Sequence, residues 1–525
     1  MKPIPFLSLL FGILVAFIFC TLVFELSLLT SDTSVDGIPN FQRLLNAAAA
    51  PGAGDTASVA DMLTFYPDEV YDIDWSQKIH ESDLLHEAAL HRACVKYQES
   101  IISYEVGRAE QDEAQYIVNE TDPQLLEKLK QCPDVDVFIP SGLRDFGYCE
   151  DAAAYTKFLK ARMLPRWVLN SKFQDNSRKR TVTYHELCPN TPMIFFNHYW
   201  DGVPDALDWP TDKPLYLMPN MEMFEISSEH FWRADVVLCK TALCARYVRL
   251  WFKQEGNPKG TRVLYTRHIT SNLPLTVKNQ FTESESQVRS EKNFSHVSIL
   301  HTPGNSGWKG TRQVLECWLS RPDLPLLELY TTHKSFPGKY AKRIATSKNV
   351  ILHNERLDPA VFGRLITDAT YVMCSSVMEG YGHYINQARA SRALIFTTDV
   401  APMNELITSQ SGVLIKAKEK SYKRQFLGGD SSAAHALHDV PGFVADFNDT
   451  AVCDAVTDML NNTTIEEREM RADKALQQYY FDVVFFVQKM QELRKFARAQ
   501  SHTGWFRAPR WHDDGVEYFV DMLAK

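Results

Sequence analysis

The sequence predicts an α/β protein with two Rossmann-like domains that face each other across a cleft, and three observations support this prediction. The chain has 525 residues, which is more than one hydrophobic core usually accommodates. Short apolar runs alternate with helical stretches twice along the chain, a pattern typical of parallel sheets covered by helices. A polar run at residues 277–295 separates the two sets and is predicted to be a linker. In such sheets ligands bind beyond the carboxyl ends of the strands.

The first set of elements forms the predicted acceptor-side domain at residues 61–276. Its apolar runs have the length and composition of buried strands, and the stretches between them have helical character. The predicted strands are VDVFIP, MIFFNHY, PLYLMPN, VVLCK and VLYTRHI, and the main helices are CEDAAAYTKFLKARM and TALCARYVRLWFKQEG.

The second set forms a predicted domain at residues 296–478, and residues 479–525 are predicted to close the chain as helices. The predicted strands are VSILHT, LLELYT, NVILHN, YVMCSS and ALIFTT, and the helices are GTRQVLECWLS, PAVFGRLITDA and HYINQARASR. Strands that alternate with helices of this size imply a parallel sheet wrapped by helices.

The N-terminal segment predicts a membrane anchor. No charged residue occurs from Phe6 to Phe24, which is long enough to span a bilayer. Lys2 precedes this segment and Glu25 follows it, so the positive-inside tendency places the N-terminus in the cytosol. We therefore expect a cytosolic tail at 1–5, a transmembrane signal anchor at 6–29 and a stem at 30–60, in a single-pass type II protein of the Golgi or endoplasmic reticulum membrane. The alternative is a cleaved signal peptide, and both readings place the body in the secretory lumen.

Glycosylation acceptors and cysteines agree with a luminal body. Asn-x-Ser/Thr triplets begin at Asn119, Asn293, Asn448, Asn461 and Asn462. Nine cysteines follow the predicted span, an odd number that leaves at least one free or paired between chains. No CxxC pair occurs, so a zinc site is not expected.

The composition places few limits on partners. The apolar content is 45% and the formal charge is −9, with the acidic excess spread along the chain. This balance gives no reason to propose a nucleic acid as partner.

The stretch EGYGHYINQ predicts a ligand site at the end of a strand. Glu379 follows YVMCSS, and Gly380 and Gly382 leave backbone N–H groups accessible before a helix begins near His383. This arrangement suits a diphosphate, with Glu379 accepting hydrogen bonds from hydroxyl groups. Gln387 lies farther along the same helix, where its side chain can reach a second polyol.

Two further stretches complete the predicted site. The loop PGNSGWKGT places Lys309 before a helix, without the spacing of a Walker P-loop. Asn404 and Glu405 follow the next strand, at the same edge of the sheet. One cation, several backbone donors and one or two carboxylates suit a UDP- or GDP-sugar, and no cofactor or metal is expected.

These motifs resemble the donor domain of retaining GT-B glycosyltransferases of family 4, over about residues 297–417. The resemblance implies that Glu379 contacts donor-sugar hydroxyls, that Lys309 contacts the diphosphate and that Glu405 lies near the nucleotide. Gln387 occupies the place of a second Glu that contacts the ribose in that family, and its amide can form the same bonds.

The resemblance also covers the glycine-rich segments and includes one departure. It implies donor contacts by the loop residues Gly304, Gly310, Gly380, Tyr381 and Gly382. In the family an Arg usually stands five residues before the Lys, where this chain has Gly304. A phosphate cation is therefore missing unless another basic residue, such as Arg312, replaces it.

The acceptor side is less marked in sequence. His198 follows the strand MIFFN, and the resembled family often places a His at the end of an early strand near the acceptor, which makes His198 a candidate catalytic residue beside Glu379 and Lys309. Asp201 and Glu222 are further candidates for the cleft. A structural role is the alternative for His198, because a His beside aromatic residues is usually packed or hydrogen bonded.

The resulting hypothesis is a membrane-anchored, luminal, retaining and metal-independent hexosyltransferase that acts on a glycan, glycoprotein or glycolipid acceptor. One alternative is a non-catalytic GT-B protein that binds a glycan or nucleotide. Another is a metal-dependent GT-A transferase with Mn²⁺ or Mg²⁺ on Asp72/Asp74 or Asp134/Asp136. For Glu379 alone, the alternative is an acid that caps the following helix.

Overall fold

The computed structural model describes residues 66–502 except 67, 109–114, 224, 281–291, 421–426, 430–433 and 439–442. The predicted tail, anchor and stem lie outside the described residues. Within the described part, no helix combines the length and apolarity needed to cross a bilayer.

The first sheet has eight strands in the order β10-β9-β8-β7-β3-β4-β1-β2. The pairs that join β3, β4 and β7–β10 are parallel, and β1 pairs antiparallel with β4 and β2. The strands are β1 (Ile101–Ser103), β2 (Ile117–Val118), β3 (Asp136–Phe138), β4 (Arg162–Leu164), β7 (Met193–Phe196), β8 (Leu215–Met218), β9 (Val236–Cys239) and β10 (Arg262–Tyr265). Between β4 and β7, the antiparallel hairpin β5 (Lys172–Asp175) and β6 (Arg180–Thr183) stands apart from this sheet.

The second sheet has six parallel strands in the order β13-β12-β11-β14-β15-β16. Counted within the domain, this is the doubly wound order 3-2-1-4-5-6, whose reversal between the first and fourth strands opens a crevice for ligands. The strands are β11 (Ser298–Gly304), β12 (Leu326–Thr331), β13 (Val350–His353), β14 (Tyr371–Cys374), β15 (Leu394–Thr398) and β16 (Val413–Ile415), and β17 (Lys418–Lys420) and β18 (Val444–Asp446) form a separate hairpin. The prediction of two Rossmann-like α/β domains, the arrangement of the GT-B class, is confirmed.

Fifteen α-helices occur in the described residues, and short 3-10 helices at Asp68–Asp72, Trp75–Lys78 and Ser141–Leu143 supplement them. The α-helices are α1 (Glu81–Lys96), α2 (Leu125–Lys130), α3 (Phe146–Leu159), α4 (Arg166–Asn170), α5 (Tyr184–Leu187), α6 (Ser228–Arg233), α7 (Ala242–Glu255), α8 (Leu273–Gln280), α9 (Thr311–Ser320), α10 (Ser335–Thr346), α11 (Pro359–Asp368), α12 (His383–Ala390), α13 (Met403–Leu406), α14 (Asp449–Asn462) and α15 (Ile465–His502). Side-chain caps such as Asp145 on α3 and Thr241 on α7 mark helix starts that follow strands.

The last helix joins the two domains. Ala472 lies in the core of the second domain, whereas Tyr479, Phe486 and Leu493 lie in the core of the first. The predicted boundary between 478 and 479 therefore falls inside one continuous helix of 38 residues. The packing partner of this helix changes between Ala472 and Tyr479, close to that boundary. The first residues of the predicted linker likewise belong to α8, and residues 281–291 lie outside the described part.

Each disulfide in the described residues links two cysteines of the same domain. Cys94–Cys149, Cys132–Cys188 and Cys239–Cys244 lie in the first domain, and Cys317–Cys453 lies in the second. Cys374, at the end of β14, is buried and unpaired. One unpaired thiol agrees with the odd number of cysteines in the body.

Candidate functional site

A cleft of about 1270 Å³ runs between the two domains at the carboxyl ends of their strands. The second domain lines it with the segments that follow β11, β12, β13 and β14, and the first domain with α1, the start of α3, α8 and the segments after β8 and β9. Parallel strands that end at one edge bring these segments together, as the sequence predicts.

Glu379 and Lys309 meet in this cleft. Lys309 Nζ forms an ion pair with Glu379 Oε1, which also accepts a hydrogen bond from Ser376 Oγ. The Lys309 ammonium lies 4.2 Å from the centroid of the Tyr384 ring. The Glu379 side chain is 10% exposed and that of Lys309 is 19% exposed, so a ligand in the cleft meets a positioned acid and cation.

Three glycines in the site are required by their surroundings or by their backbone conformation. Gly310 has a φ of 68° at the start of α9, and an added Cβ would lie 2.8 Å from the Phe447 ring. An added Cβ at Gly380 would lie 2.5 Å from Glu222 Oε1, so the loop after β14 touches the opposite domain. Gly382, with a φ of 109°, turns the chain into α12 and exposes the N-terminal N–H groups of that helix.

Gly304 also adopts a left-handed conformation, with a φ of 60°, but it faces open space. Its carbonyl accepts hydrogen bonds from Thr332 N at 3.0 Å and from Thr331 Oγ1 at 2.9 Å. Arg312 is not the replacement cation, because it is exposed and lines a second cavity of about 740 Å³. Arg312 lies in the first turn of α9, whereas Lys309 precedes that helix.

Two basic residues that the sequence did not suggest line the second domain's side of the cleft. Lys334 follows β12 and Arg356 follows β13, at the same sheet edge as Lys309. Their position directly after predicted strands was the available signal. Gln387 also lines the cleft, and its carboxamide makes no hydrogen bond to another described residue.

Tyr381 lines the cleft, and its hydroxyl is engaged between the two domains. Its ring is buried, and its hydroxyl donates to the backbone carbonyl of His268 in the first domain. Asn386 Nδ2 donates to the same hydroxyl oxygen at 2.8 Å. Tyr381 therefore braces the two domains.

Glu405 lies outside the cleft, contrary to the prediction of a nucleotide contact. Its two oxygens accept hydrogen bonds from Ala242 N at 2.7 Å and Leu243 N at 2.8 Å, at the start of α7 in the first domain. Burial raises the pKa of Glu405 to about 7, against the lowering effect of these two N–H groups. Asn404 turns away as well, since its amide donates to Asp399.

His198 is also outside the cleft, which contradicts its predicted placement. It lies beside Tyr199, with ring centroids 4.3 Å apart, and its Nδ1 is buried without a hydrogen-bond partner among the described residues. Asp201 pairs with His230 Nε2 at 2.6 Å. The first domain's wall of the cleft includes Tyr148, Asn220, Glu222 and Lys240 instead.

A polar network beneath the loop after β14 was not predicted. Asp151 Oδ1 lies 3.1 Å from His383 Nε2, and Lys240 Nζ lies 3.0 Å from both Asp151 oxygens. His383 Nδ1 is 2.8 Å from Thr270 Oγ1. Burial alone would raise the pKa of the Asp151 carboxyl. Lys240, His383 and His268 outweigh it and hold this pKa well below the usual range.

This network also offers the ligand set of a metal site. Donor atoms of Asp151, His268 and His383 lie within 4.8 Å of one another. Lys240 already neutralises the carboxylate of Asp151, and a metal ion beside this buried ammonium would meet like charge. The residues therefore do not fit a cation well.

The aspartate pairs considered for a metal are engaged elsewhere. Asp136 is buried and pairs with Arg162 at 2.9 Å, and Asp134 pairs with Arg494 at 3.0 Å. Asp74 caps its short helix through Ser76 N. The residues that line the cleft do not include Asp72, Asp74, Asp134 or Asp136.

The five glycosylation acceptors, Asn119, Asn293, Asn448, Asn461 and Asn462, are all exposed. Asn448 also caps α14 by accepting from Ala451 N at 3.0 Å. Their exposure makes each side chain reachable for modification.

No known family's sequence profile and no curated protein matches this chain. Solved structures that it resembles include the pneumococcal O-GlcNAc transferase GtfA in complex with UDP and GlcNAc, with 14% identity over 60% of this chain and 57% of that chain and a TM-score of 0.40. Anabaena HepE in complex with UDP and glucose has 14% identity over 58% of this chain and 77% of that chain, with a TM-score of 0.40. An alpha,alpha-trehalose-phosphate synthase (UDP-forming) from Burkholderia vietnamiensis has 8% identity over 58% of this chain and 72% of that chain, with a TM-score of 0.42. The match spans less than two thirds of the pneumococcal chain.

Proposed function

We propose that this protein is a glycosyltransferase that transfers a sugar from a nucleotide-sugar to a hydroxyl group of a glycan, glycoprotein or glycolipid. The observation that carries the proposal is the pair Glu379–Lys309, held among glycine-rich loops at the carboxyl edge of a doubly wound sheet and facing a second domain. A donor at this edge would present its diphosphate to Lys309 and to the start of α12, and its sugar to Glu379.

In the proposed reaction the acceptor oxygen attacks the anomeric carbon and the nucleoside diphosphate leaves. Lys309, the backbone N–H groups of the glycine-rich loops and the nearby Lys334 and Arg356 would stabilise the charge that develops on the diphosphate. The resemblance to family 4 supports retention of the anomeric configuration and a reaction without metal. The donor is a UDP- or GDP-sugar.

The proposed location is the lumen of the Golgi or endoplasmic reticulum, with the chain anchored by residues 6–29 as a type II membrane protein. The uncharged N-terminal segment, four disulfides within the described residues and exposed Asn-x-Ser/Thr triplets support this proposal. The same features support N-glycosylation of the triplets.

The test measures nucleotide release by the full chain, purified from a secretory host, with UDP- and GDP-sugars and a mixed panel of glycan acceptors. We expect turnover that resists EDTA and falls by about 10²–10³-fold in Glu379→Ala and in Lys309→Ala. The exposed residues Glu229 and Lys348 provide matched controls, Glu229→Ala and Lys348→Ala, which should keep wild-type turnover. Dependence on added Mn²⁺ would contradict the metal-independent reaction.

A non-catalytic nucleotide-binding protein is the second candidate, and Gly304 is the observation that favours it. The position lacks the cation usual in the resembled family, and its left-handed backbone in open space shows that no nearby side chain occupies that place. Nucleotide binding without release of product across the whole acceptor panel would favour this candidate.

A further inference from the structure

Glu222 stands on the wall of the cleft opposite the donor loops. It belongs to the segment after β8, and its Oε2 atom is buried without a hydrogen-bond partner among the described residues. Asn220 Oδ1, on the same wall, is also buried and unpartnered within the described part of the chain. Buried acceptors are normally satisfied, so two of them in one wall point to a ligand that brings hydrogen-bond donors.

The segment that carries these two side chains is held in place. Asn197 Oδ1 accepts a hydrogen bond of 2.6 Å from Asn220 N, and Asn197 Nδ2 donates to Tyr148 OH at 2.7 Å. Asn197 itself adopts a left-handed backbone with a φ of 48°. Asn197 thus holds the backbone of this segment through Asn220 N. It forms no hydrogen bond with Glu222 Oε2 or Asn220 Oδ1, which stay available to a ligand.

Glu222 also reaches the point where donor and acceptor meet. The Glu222 carboxylate lies against the loop that carries Glu379, and it can do so only because Gly380 in that loop has no Cβ. Lys309 and Glu379 are both near enough to act on the pKa of Glu222. The carboxylate therefore faces, from the opposite wall, the place where the proposed function puts the sugar and the leaving diphosphate.

We propose that Glu222 is the catalytic base that takes the proton of the acceptor hydroxyl, and that Asn220 Oδ1 orients the acceptor by accepting a second hydrogen bond. This inference rests on the proposed function. As the acceptor O–H proton passes to Glu222, the acceptor oxygen forms a bond to the anomeric carbon. The bond from that carbon to the diphosphate oxygen breaks, and its electron pair leaves with the nucleoside diphosphate.

The charges around Glu222 suit this role. Burial raises the pKa of Glu222 to about 7, Lys240 and Lys309 oppose the rise, and Glu379 adds to it. Tyr148, on α3, also faces Glu222 across this part of the cleft. A base is most effective when its pKa lies near the working pH, because it is then ionised yet still binds a proton well.

The experiment compares wild type with Glu222→Gln in the full chain, using UDP-glucose, UDP-N-acetylglucosamine and GDP-mannose as donors. Methyl glycosides serve as hydroxyl acceptors and azide as an acceptor that has no proton to lose. The matched control is Glu229→Gln, an exposed acid on α6 outside the cleft. We expect Glu222→Gln to lose about 10²–10⁴-fold in kcat/KM with hydroxyl acceptors and to react with azide at the wild-type rate.

The pH profile gives a second readout that a merely structural role would not move. In wild type, kcat/KM with a hydroxyl acceptor should rise with pH and level off above about 7, where Glu222 is ionised. Glu222→Gln should abolish this rise.

Each other outcome overturns the inference. Transfer to hydroxyl acceptors that survives Glu222→Gln within a few fold, or an equal loss with hydroxyl acceptors and azide, excludes Glu222 as the base while leaving the proposed function in place. A wild type that binds UDP but transfers no sugar overturns both the proposed function and this inference.

Discussion

The carboxylate of Glu405 accepts a 2.7 Å hydrogen bond from the backbone N–H of Ala242, which joins the second domain to the first turn of a helix in the other domain. Leu243 N donates to the second oxygen, so a single acid satisfies two N–H groups that a helix start leaves without partners. Together with the Tyr381–His268 contact, this bond fixes the relation of the two domains on either side of the loop after β14.

Glu405→Ala should destabilise the protein, because it leaves two buried N–H groups unsatisfied and removes a charge from a helix N-terminus. We expect a loss of about 2–4 kcal/mol in the free energy of unfolding, measured by urea denaturation. Glu405→Gln keeps one acceptor oxygen and should lose about half as much. The exposed Glu120 supplies the control, Glu120→Ala, which should lie within about 0.5 kcal/mol of wild type. Equal stability of Glu405→Ala and the control would show that the contact is not formed in solution.

The buried carboxyl group of Glu87 should make the free energy of unfolding fall as pH rises. It is fully buried on α1, both of its oxygens lack partners among the described residues, and burial raises its pKa well above the usual value, with the neighbouring Glu150 adding to the rise. Since the folded state then binds the proton more tightly than the unfolded state, this contribution to stability is complete below about pH 4 and is lost as pH rises.

The measurement is the unfolding free energy of wild type and Glu87→Gln between about pH 5 and 8, which lies above the ordinary pKa of a glutamate. We expect Glu87→Gln to be the more stable protein at pH 8 by at least about 1 kcal/mol and to depend less on pH. Glu222 and Glu405, whose pKa values are raised to about 7, should maintain part of the slope. A wild type whose stability rises over this interval would contradict the prediction.

Asp482 on α15 should be among the most sensitive positions in the chain. Its oxygens lie 2.6 Å from Arg267 Nη1 and 2.8 Å from Arg389 Nη2, and it accepts from Tyr66 OH at 2.6 Å, all in buried surroundings. Asp482→Asn removes the charge that two buried guanidinium groups share. We expect a loss of about 3–5 kcal/mol, read as a lower urea midpoint.

The control for Asp482 is Asp458→Asn, a change to an acid on the exposed face of α14, which should leave the midpoint unchanged. If Asp482→Asn unfolded at the same midpoint as this control, the buried cluster would not exist in solution.

Gly304→Arg should strengthen nucleotide binding and weaken the fold. The position faces open space at the donor edge of the cleft, so an Arg side chain has room and would add a cation for the diphosphate. Its φ of 60° makes any side chain strained, at a cost of about 1–2 kcal/mol. We expect about tenfold tighter binding of UDP or GDP by calorimetry.

Gly304→Ala separates the two effects, because it adds the strain without the charge. It should lose the same stability as Gly304→Arg and leave nucleotide affinity unchanged. Equal affinities for the two variants would show that the diphosphate does not lie beside residue 304.

The sequence predicted the parts of the site that depend on local pattern. A strand end, two glycines and a helix start are readable in order, so the loop carrying Glu379 and the loop carrying Lys309 were assigned to one edge of one sheet. The structure brings them into contact, although 70 residues separate them in sequence. Local pattern did not reveal what lies across the cleft: Glu222 was a candidate there, but Tyr148, Asn220 and Lys240 on the same wall were missed.

By itself, the sequence determined two α/β domains and the edge at which their loops meet, because apolar periodicity and glycine placement act within a few residues of chain. Only the tertiary structure decided which polar side chains at that edge face the cleft. Glu379 and Glu405 both follow strands, but a helix from the other domain, 163 residues earlier in the chain, supplies the N–H groups that engage Glu405. Such long-range partners decide whether a carboxylate is available to a ligand, and a local pattern carries no information about them.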